Sequence, residues 1–201
     1  MAPKAKAPRG VVDAAERVAV ALEARDVRFA LVGGLAVSAR VEPRYTRDVD
    51  LAVAVASDAE AERLVYELTR RDYVVDTIIE QRKRAQLATA RLRPREQPDV
   101  FVDLLFASSG IEPEVARGAE RVSYGHGTLL PVANVGHLIA LKVLSESDER
   151  LQDRIDLGML ATVATEQDWR VAEDAVRLIR ERGFHRGRAL VRRLRRWRRA
   201  A

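Results

Sequence analysis

At about residue 132 the hydrophobic period of this chain changes, and the change limits the folds open to it. Before that point, short runs with apolar residues two apart alternate with stretches whose apolar residues recur every three or four positions. Strands are predicted over 28–32, 48–56, 73–80, 85–93, 99–107 and 128–132, with helices over 11–25, 35–40, 57–71 and 112–120 between them. Ser57 followed by Glu60 is a capping-box pattern that starts the third of these helices. Beyond residue 132 only helical spacing remains, over about 134–146, 148–164, 167–182 and 187–199. Interleaved strands and helices followed by helices alone predict an α/β (α+β) core over 10–132 and a helical region over 133–201. Residues 1–9, with two prolines, three basic residues and few large apolar groups, read as a flexible basic arm.

Composition narrows the functional classes. The chain has 201 residues, 47% of them hydrophobic and 32% charged, a balance that suits a folded domain with a real core. Its apolar runs fall far short of the ~18 residues of a spanning helix, and no signal-peptide h-region opens it, so a cytoplasmic protein without a membrane partner is expected. Cysteine is absent, which excludes disulfides, thiolate nucleophiles and cysteine-ligated metals. The formal charge of +5 is unevenly spread. Eight arginines and no acid follow position 185, and without them the charge would be −3. Arg192, Arg193, Arg195, Arg196, Arg198 and Arg199 share one predicted helix with the apolar stripe Leu190, Val191, Leu194 and Trp197. Such a helix docks through its stripe and presents a basic face, either to a polyanion or simply to solvent. A membrane-surface helix has the same composition and is the weaker reading.

The chemistry is concentrated around Leu31-Val-Gly33-Gly34 and Asp48-Val-Asp50-Leu51. A glycine pair between a strand and a helix allows close backbone approach to a phosphate at a helix N-terminus. Within a strand, Asp48 and Asp50 lie on one face, about 6.6 Å apart, while Val49 and Leu51 lie on the other. Two carboxylates so placed can ligate a pair of divalent ions ~3.5–4 Å apart, the arrangement used in nucleotidyl transfer. Asp103 lies mid-strand between Val102 and Leu104, where its charge requires a metal or an arginine as compensation. We take Asp103 as the third carboxylate.

Gly-Gly, a spacer, Asp-x-Asp and a later strand aspartate resemble the DNA polymerase β-type nucleotidyltransferase superfamily. Val32–Val37 with Arg44–Leu51, and Pro131–Lys142 with Arg150–Asp156, resemble the AbiEii/AbiGii toxin nucleotidyltransferases, which include the MenT-like toxins. That resemblance implies a nucleotidyltransferase-type mixed sheet with flanking helices and transfer of a nucleoside monophosphate from a nucleoside triphosphate. It further implies two magnesium or manganese ions on Asp48, Asp50 and Asp103, with Asp103 helping to deprotonate the attacking hydroxyl. Gly33 and Gly34 would hold the triphosphate, Arg44 and Thr46 would join the nucleotide site, Lys142 would contact phosphates, and Asp153 would orient Lys142 or the nucleotide. Gln152 stands where the family often has a basic residue, and it leaves that orienting role open between Asp153 and Asp156. The resemblance also implies the toxin of a toxin–antitoxin or phage-defence pair, a cognate antitoxin, and an RNA acceptor such as the tRNA 3′ end.

Two other functions are compatible with the same residues: a non-catalytic antitoxin-like or nucleotide-sensing domain, and a nucleotidyltransferase that modifies a small molecule such as an antibiotic. His126, His137 and His185 lack metal-ligand spacing and read as structural. Glu146, Asp148 and Glu149 read as a junction between helices.

Overall fold

In the computed structural model, which describes residues 9–81, 84–124, 129–147 and 149–201, the alternating segments form one seven-stranded sheet. The strands are β1 (Arg28–Val32), β2 (Asp48–Ala54), β3 (Tyr73–Gln81), β4 (Gln86–Pro94), β5 (Phe101–Leu105), β6 (Glu120–Ser123) and β7 (Leu129–Val132). Their spatial order is β3-β4-β5-β2-β1-β7-β6. β2 runs parallel to β5 and β1 parallel to β7, while the other neighbours are antiparallel. The helices are α1 (Arg9–Glu23), α2 (Gly33–Arg40), α3 (Asp58–Thr69), α4 (Glu112–Arg117), α5 (Val135–Ser145), α6 (Leu151–Val163), α7 (Glu166–Glu181) and α8 (Leu190–Ala200).

The central strands are buried because their apolar positions meet helices. Val49, Leu51 and Val53 of β2, Leu31 of β1 and Val102 and Leu104 of β5 are almost fully enclosed, together with Leu22 of α1, Leu35 of α2 and Val115 of α4. Caps set the helix starts. Ser57 accepts a hydrogen bond from the Glu60 amide, and the Glu60 carboxylate reaches back to the Ala56 amide. Asn134 accepts from the His137 amide to begin α5, and Thr165 with Asp168 forms a capping box for α7.

Three expectations need correction. The helix expected to reach residue 120 stops at Arg117, and Glu120–Ser123 turns into the edge strand β6, which is short and polar and leaves no clear period. The helix expected from residue 148 begins at Leu151. The arm expected over 1–9 gives up Arg9 to α1, and the rest of it lies outside the described residues. So do Arg82, Lys83, His126, Thr128 and Asp148.

Candidate active site

An open cleft of about 800 Å³ lies between the sheet and the α5–α6 pair. It collects Val32, Gly33 and Gly34 from the β1–α2 turn, Asp48 and Asp50 from β2, Arg91 from β4, Asp103 from β5, and Lys142 and Asp153 from the helices. Pleating puts Asp48 and Asp50 on the cleft side and buries Val49 and Leu51 behind them. Parallel pairing then sets Asp50 beside Asp103 and Asp48 beside Phe101. Thr46 is buried and bridges the backbone amide and carbonyl of Asp48 through its hydroxyl, both at 3.4 Å, so it holds the start of β2.

The three carboxylates are not equivalent. Arg91, opposite Asp103 in the β4–β5 register, grips both oxygens of that carboxylate, Nε to Oδ1 at 2.8 Å and Nη2 to Oδ2 at 2.6 Å. Asp103 is therefore compensated by an arginine here, and its expected role as a metal ligand must compete with that pairing. The Arg91 guanidinium also lies 5.0 Å from the Phe101 ring centre. The Asp48 and Asp50 side chains form no ion pair with any described residue. Burial pushes the Asp50 carboxyl up to about 7, and the neighbouring Asp103 and Asp48 charges push in the same direction. A free, half-buried carboxylate crowded by two others fits a divalent cation well. Among the described residues, no three acidic or histidine side chains already converge as a metal cage, in keeping with the hold of Arg91 on Asp103.

The glycine pair has a local explanation. Gly33 has φ +63°, and a Cβ there would lie 1.8 Å from Asp50 Oδ2. A Cβ on Gly34 would lie 2.6 Å from Arg44 Nη2. The two glycines thus make room for protein side chains, and they leave the N-terminus of α2 without a side-chain cap at the cleft wall.

Behind the cleft, Asp156 is a fully buried hub. It accepts from Arg44 Nε and Nη2, both at 3.0 Å, and from Gln152 at 3.0 Å, and it pairs with Lys142 Nζ at 2.6 Å. Burial opposes its ionisation, but the hydrogen bonds from Lys142, Gln152 and Arg44 outweigh that and hold its carboxyl below the usual carboxylate range. Lys142 Nζ also donates to Asp153 Oδ1 at 2.7 Å, and Arg150 approaches the other Asp153 oxygen at 2.9 Å. Lys142 is 9% exposed, so it is no surface lysine, and both orienting candidates contact it. Gln152, set apart in the sequence, serves Asp156. Arg91 and Arg186, which also line the cleft, escaped sequence reasoning. Arg91 shares one face of β4 with Thr89, but only the strand register assigns its partner.

The predicted basic helix divides. Arg193 donates to the Glu146 carbonyl at 2.7 Å, Arg196 pairs with the Glu146 carboxylate at 2.7 Å, and Arg198 pairs with Glu166 at 2.6 Å and Glu173 at 2.7 Å. These three of the six expected RNA contacts are engaged in docking α8. Glu146, expected to be a mere junction residue, is 2% exposed and anchors that helix, while Trp197 Nε1 also reaches it at 3.4 Å. His137 is buried, with burial lowering its pKa, and it takes no part in the cleft.

A mixed sheet that brings Asp-x-Asp beside a third strand aspartate, with a Gly-Gly turn at the same cleft, places the protein among the nucleotidyltransferases. The family of the nucleotidyl transferase AbiEii toxin of type IV toxin–antitoxin systems matches over residues 18–200, and the chain belongs to it. No curated protein sequence matches. Among solved structures, an antigenic nucleotidyltransferase-like protein from Paracoccidioides brasiliensis is similar at 18% identity over 94% of both chains, with a TM-score of 0.53. The antibiotic-resistance factor ANT(2")-Ia, solved in complex with adenylyl-2"-tobramycin, is similar at 13% identity over 85% of this chain and 97% of its own, with a TM-score of 0.54. The nucleotidyltransferase toxin MenT4 from Mycobacterium tuberculosis H37Rv shares 18% identity over 82% of this chain and 63% of its own, with a TM-score of 0.48. At these identities the first two likenesses establish the fold. The family implies a nucleoside triphosphate substrate and a cognate antitoxin. Among the described residues, no helix is long and apolar enough to cross a membrane.

Proposed function

We propose that this cleft moves a nucleoside monophosphate from a nucleoside triphosphate onto a hydroxyl of an RNA acceptor, with the tRNA 3′ end as the leading candidate. The reading rests on Asp48 and Asp50, two carboxylates on one strand face beside Asp103 that have no ion pair among the described residues. With Asp103 they would hold magnesium or manganese, and two ions suit the three-carboxylate set. When bound, such ions supply charge neutralisation at the transferring phosphoryl group and acidify the attacking hydroxyl. The acceptor oxygen bonds to the α-phosphorus while the bond to the β-phosphate bridging oxygen breaks. Pyrophosphate leaves with that electron pair, and the hydroxyl proton passes to the carboxylate cluster. The uncapped N-terminus of α2 presents free amide groups and a positive dipole to the triphosphate. Lys142, locked between Asp153 and Asp156, adds fixed positive charge to the cleft wall without a flexible side chain to order.

The test is incubation of the protein with each labelled triphosphate, magnesium and total RNA. Label should appear on RNA with one preferred nucleotide. Asp48→Asn and Asp50→Asn should each lower transfer by at least about a thousandfold, several kcal/mol of transition-state stabilisation, while both proteins stay folded. Near-normal transfer in either variant overturns the metal assignment, and label on a small molecule in place of RNA overturns the acceptor assignment.

A further inference from the structure

We propose that the acceptor's phosphate backbone follows an arginine track along the outer face of α8 and the end of α7, entering the cleft past the 183–189 turn. The proposal rests on the RNA-acceptor reading above and adds the path by which such an acceptor is held.

The track emerges from how the arginines of α8 are sorted. At about 100° per helical residue, Arg192, Arg195 and Arg199 fall within about 60° of one another, opposite Leu190 and Leu194. Leu190 and Leu194 are each 2% exposed and turned into the core, whereas the three arginines are exposed. Arg193 and Arg198 flank the buried stripe and are tied to the body, as is Arg196. Arg192, Arg195 and Arg199, with Arg180 at the end of α7, form no ion pair among the described residues. All four line an open groove of about 790 Å³ whose wall, among the described residues, carries no acidic side chain. Uncompensated guanidinium groups in a row, about 10 Å from Arg192 to Arg199, match a linear polyanion better than a single small anion.

The groove adjoins the catalytic cleft. Arg188 lines the groove and donates to the Leu144 carbonyl, and Leu144 itself lines the cleft. Two residues earlier, Arg186 lines the cleft and donates to the Ser108 carbonyl at 2.8 Å. Its φ of 53° lies in the left-handed region that side chains disfavour, a strained conformation at the point where the two surfaces meet. The 183–189 turn thus joins the two surfaces.

A lipid surface fits this face poorly. Membrane-bound amphipathic helices expose their apolar side, and here that side is consumed by docking. No large hydrophobic residue of α8 is exposed.

The experiment uses the full chain carrying Asp50→Asn, so that binding is read without turnover, and a fluorescein-labelled single-stranded RNA 20-mer as the probe. Replacing Arg192, Arg195 and Arg199 together with Gln should weaken RNA binding roughly tenfold or more and lower the log–log salt slope by about two units. The melting temperature should stay unchanged, because these side chains dock nothing. Arg198→Gln, the comparison variant, should keep the parent salt slope. If the triple variant retains its RNA affinity and slope while the wild type still labels RNA, the track is overturned and the RNA-acceptor reading stands. If the parent protein neither binds nor labels RNA, both are overturned. Binding to phosphatidylserine vesicles in place of RNA also overturns the proposal.

Discussion

Asp50 and Asp156 show opposite electrostatic solutions within one cleft wall. Burial, and then the like charges of Asp103 and Asp48, raise the Asp50 carboxyl from 3.8 to about 7, so its charge opposes folding in the absence of a cation. The unfolded chain ionises as pH rises past 3.8 while the native state retains its proton until about 7, so stability falls across that window and the full penalty persists above it. Asp50→Asn should therefore stabilise the metal-free protein at pH 8 by about 1–3 kcal/mol, with the gain vanishing below about pH 4. Urea melts in EDTA at both pH values check this. Added magnesium should raise the stability of the wild type and leave Asp50→Asn unmoved. Asp156 has the reverse sign. Its lowered pKa contributes stability above the unfolded value, which is lost as pH falls through the folded one. Lys142 belongs to that network. A lysine that served only the nucleotide could be removed without harm to folding, but Lys142→Ala takes away the cation shared by Asp153 and Asp156, 2% and 0% exposed, and leaves Asp153 only the approach of Arg150 and Asp156 only Arg44 and Gln152. It should lower stability by about 3–5 kcal/mol, and Asp153→Asn in the same chain should restore part of it. Melting identical to wild type would show the clamp to be structurally idle.

At the level of elements, α8 is held by a stripe and by a carboxylate. Leu190 and Leu194 supply buried area, and Glu146 at the end of α5 gathers Arg196, Trp197 and, at 3.5 Å, Arg154. Leu194→Ala should lower stability by about 2–4 kcal/mol through lost burial and the cavity left behind. Glu146→Ala should also loosen α8, because it removes the acceptor shared by several donors. Hydrogen exchange in 190–200 should rise in both variants while β2 and β5 remain protected, and uniform exchange across the chain would show that α8 has no local opening of its own. Edge strand β3 differs from this well-packed helix. It exposes Val74, Val75, Ile78 and Ile79, and Ile79 also lines the cleft.

Across the molecule, the first 132 residues build the sheet and the later helices close the cleft over it, so the site belongs to both regions. Asp48, Asp50 and Asp103 come from strands, Lys142 and Asp153 from α5 and α6, and Arg186 from the turn before α8. Neither region holds the full set of charges alone.

The amino-acid sequence by itself determined the local facts. Alternation along 48–54 sets two carboxylates on one face, the glycine pair marks a tight strand-to-helix turn, and helical spacing after 132 predicts α5 to α8 within a few residues. Those features depend on neighbours in the chain, which periodicity reports directly. Only the tertiary structure decided which charge meets which. The parallel register sets Asp50 beside Asp103, the antiparallel one gives Asp103 to Arg91, and helix packing brings Arg44 onto Asp156 from 112 positions away. The same packing tied Arg193, Arg196 and Arg198 to the body and left Arg192, Arg195 and Arg199 facing outward. A charge's partner is set by strand register and helix docking, and these long-range choices leave no period in the sequence.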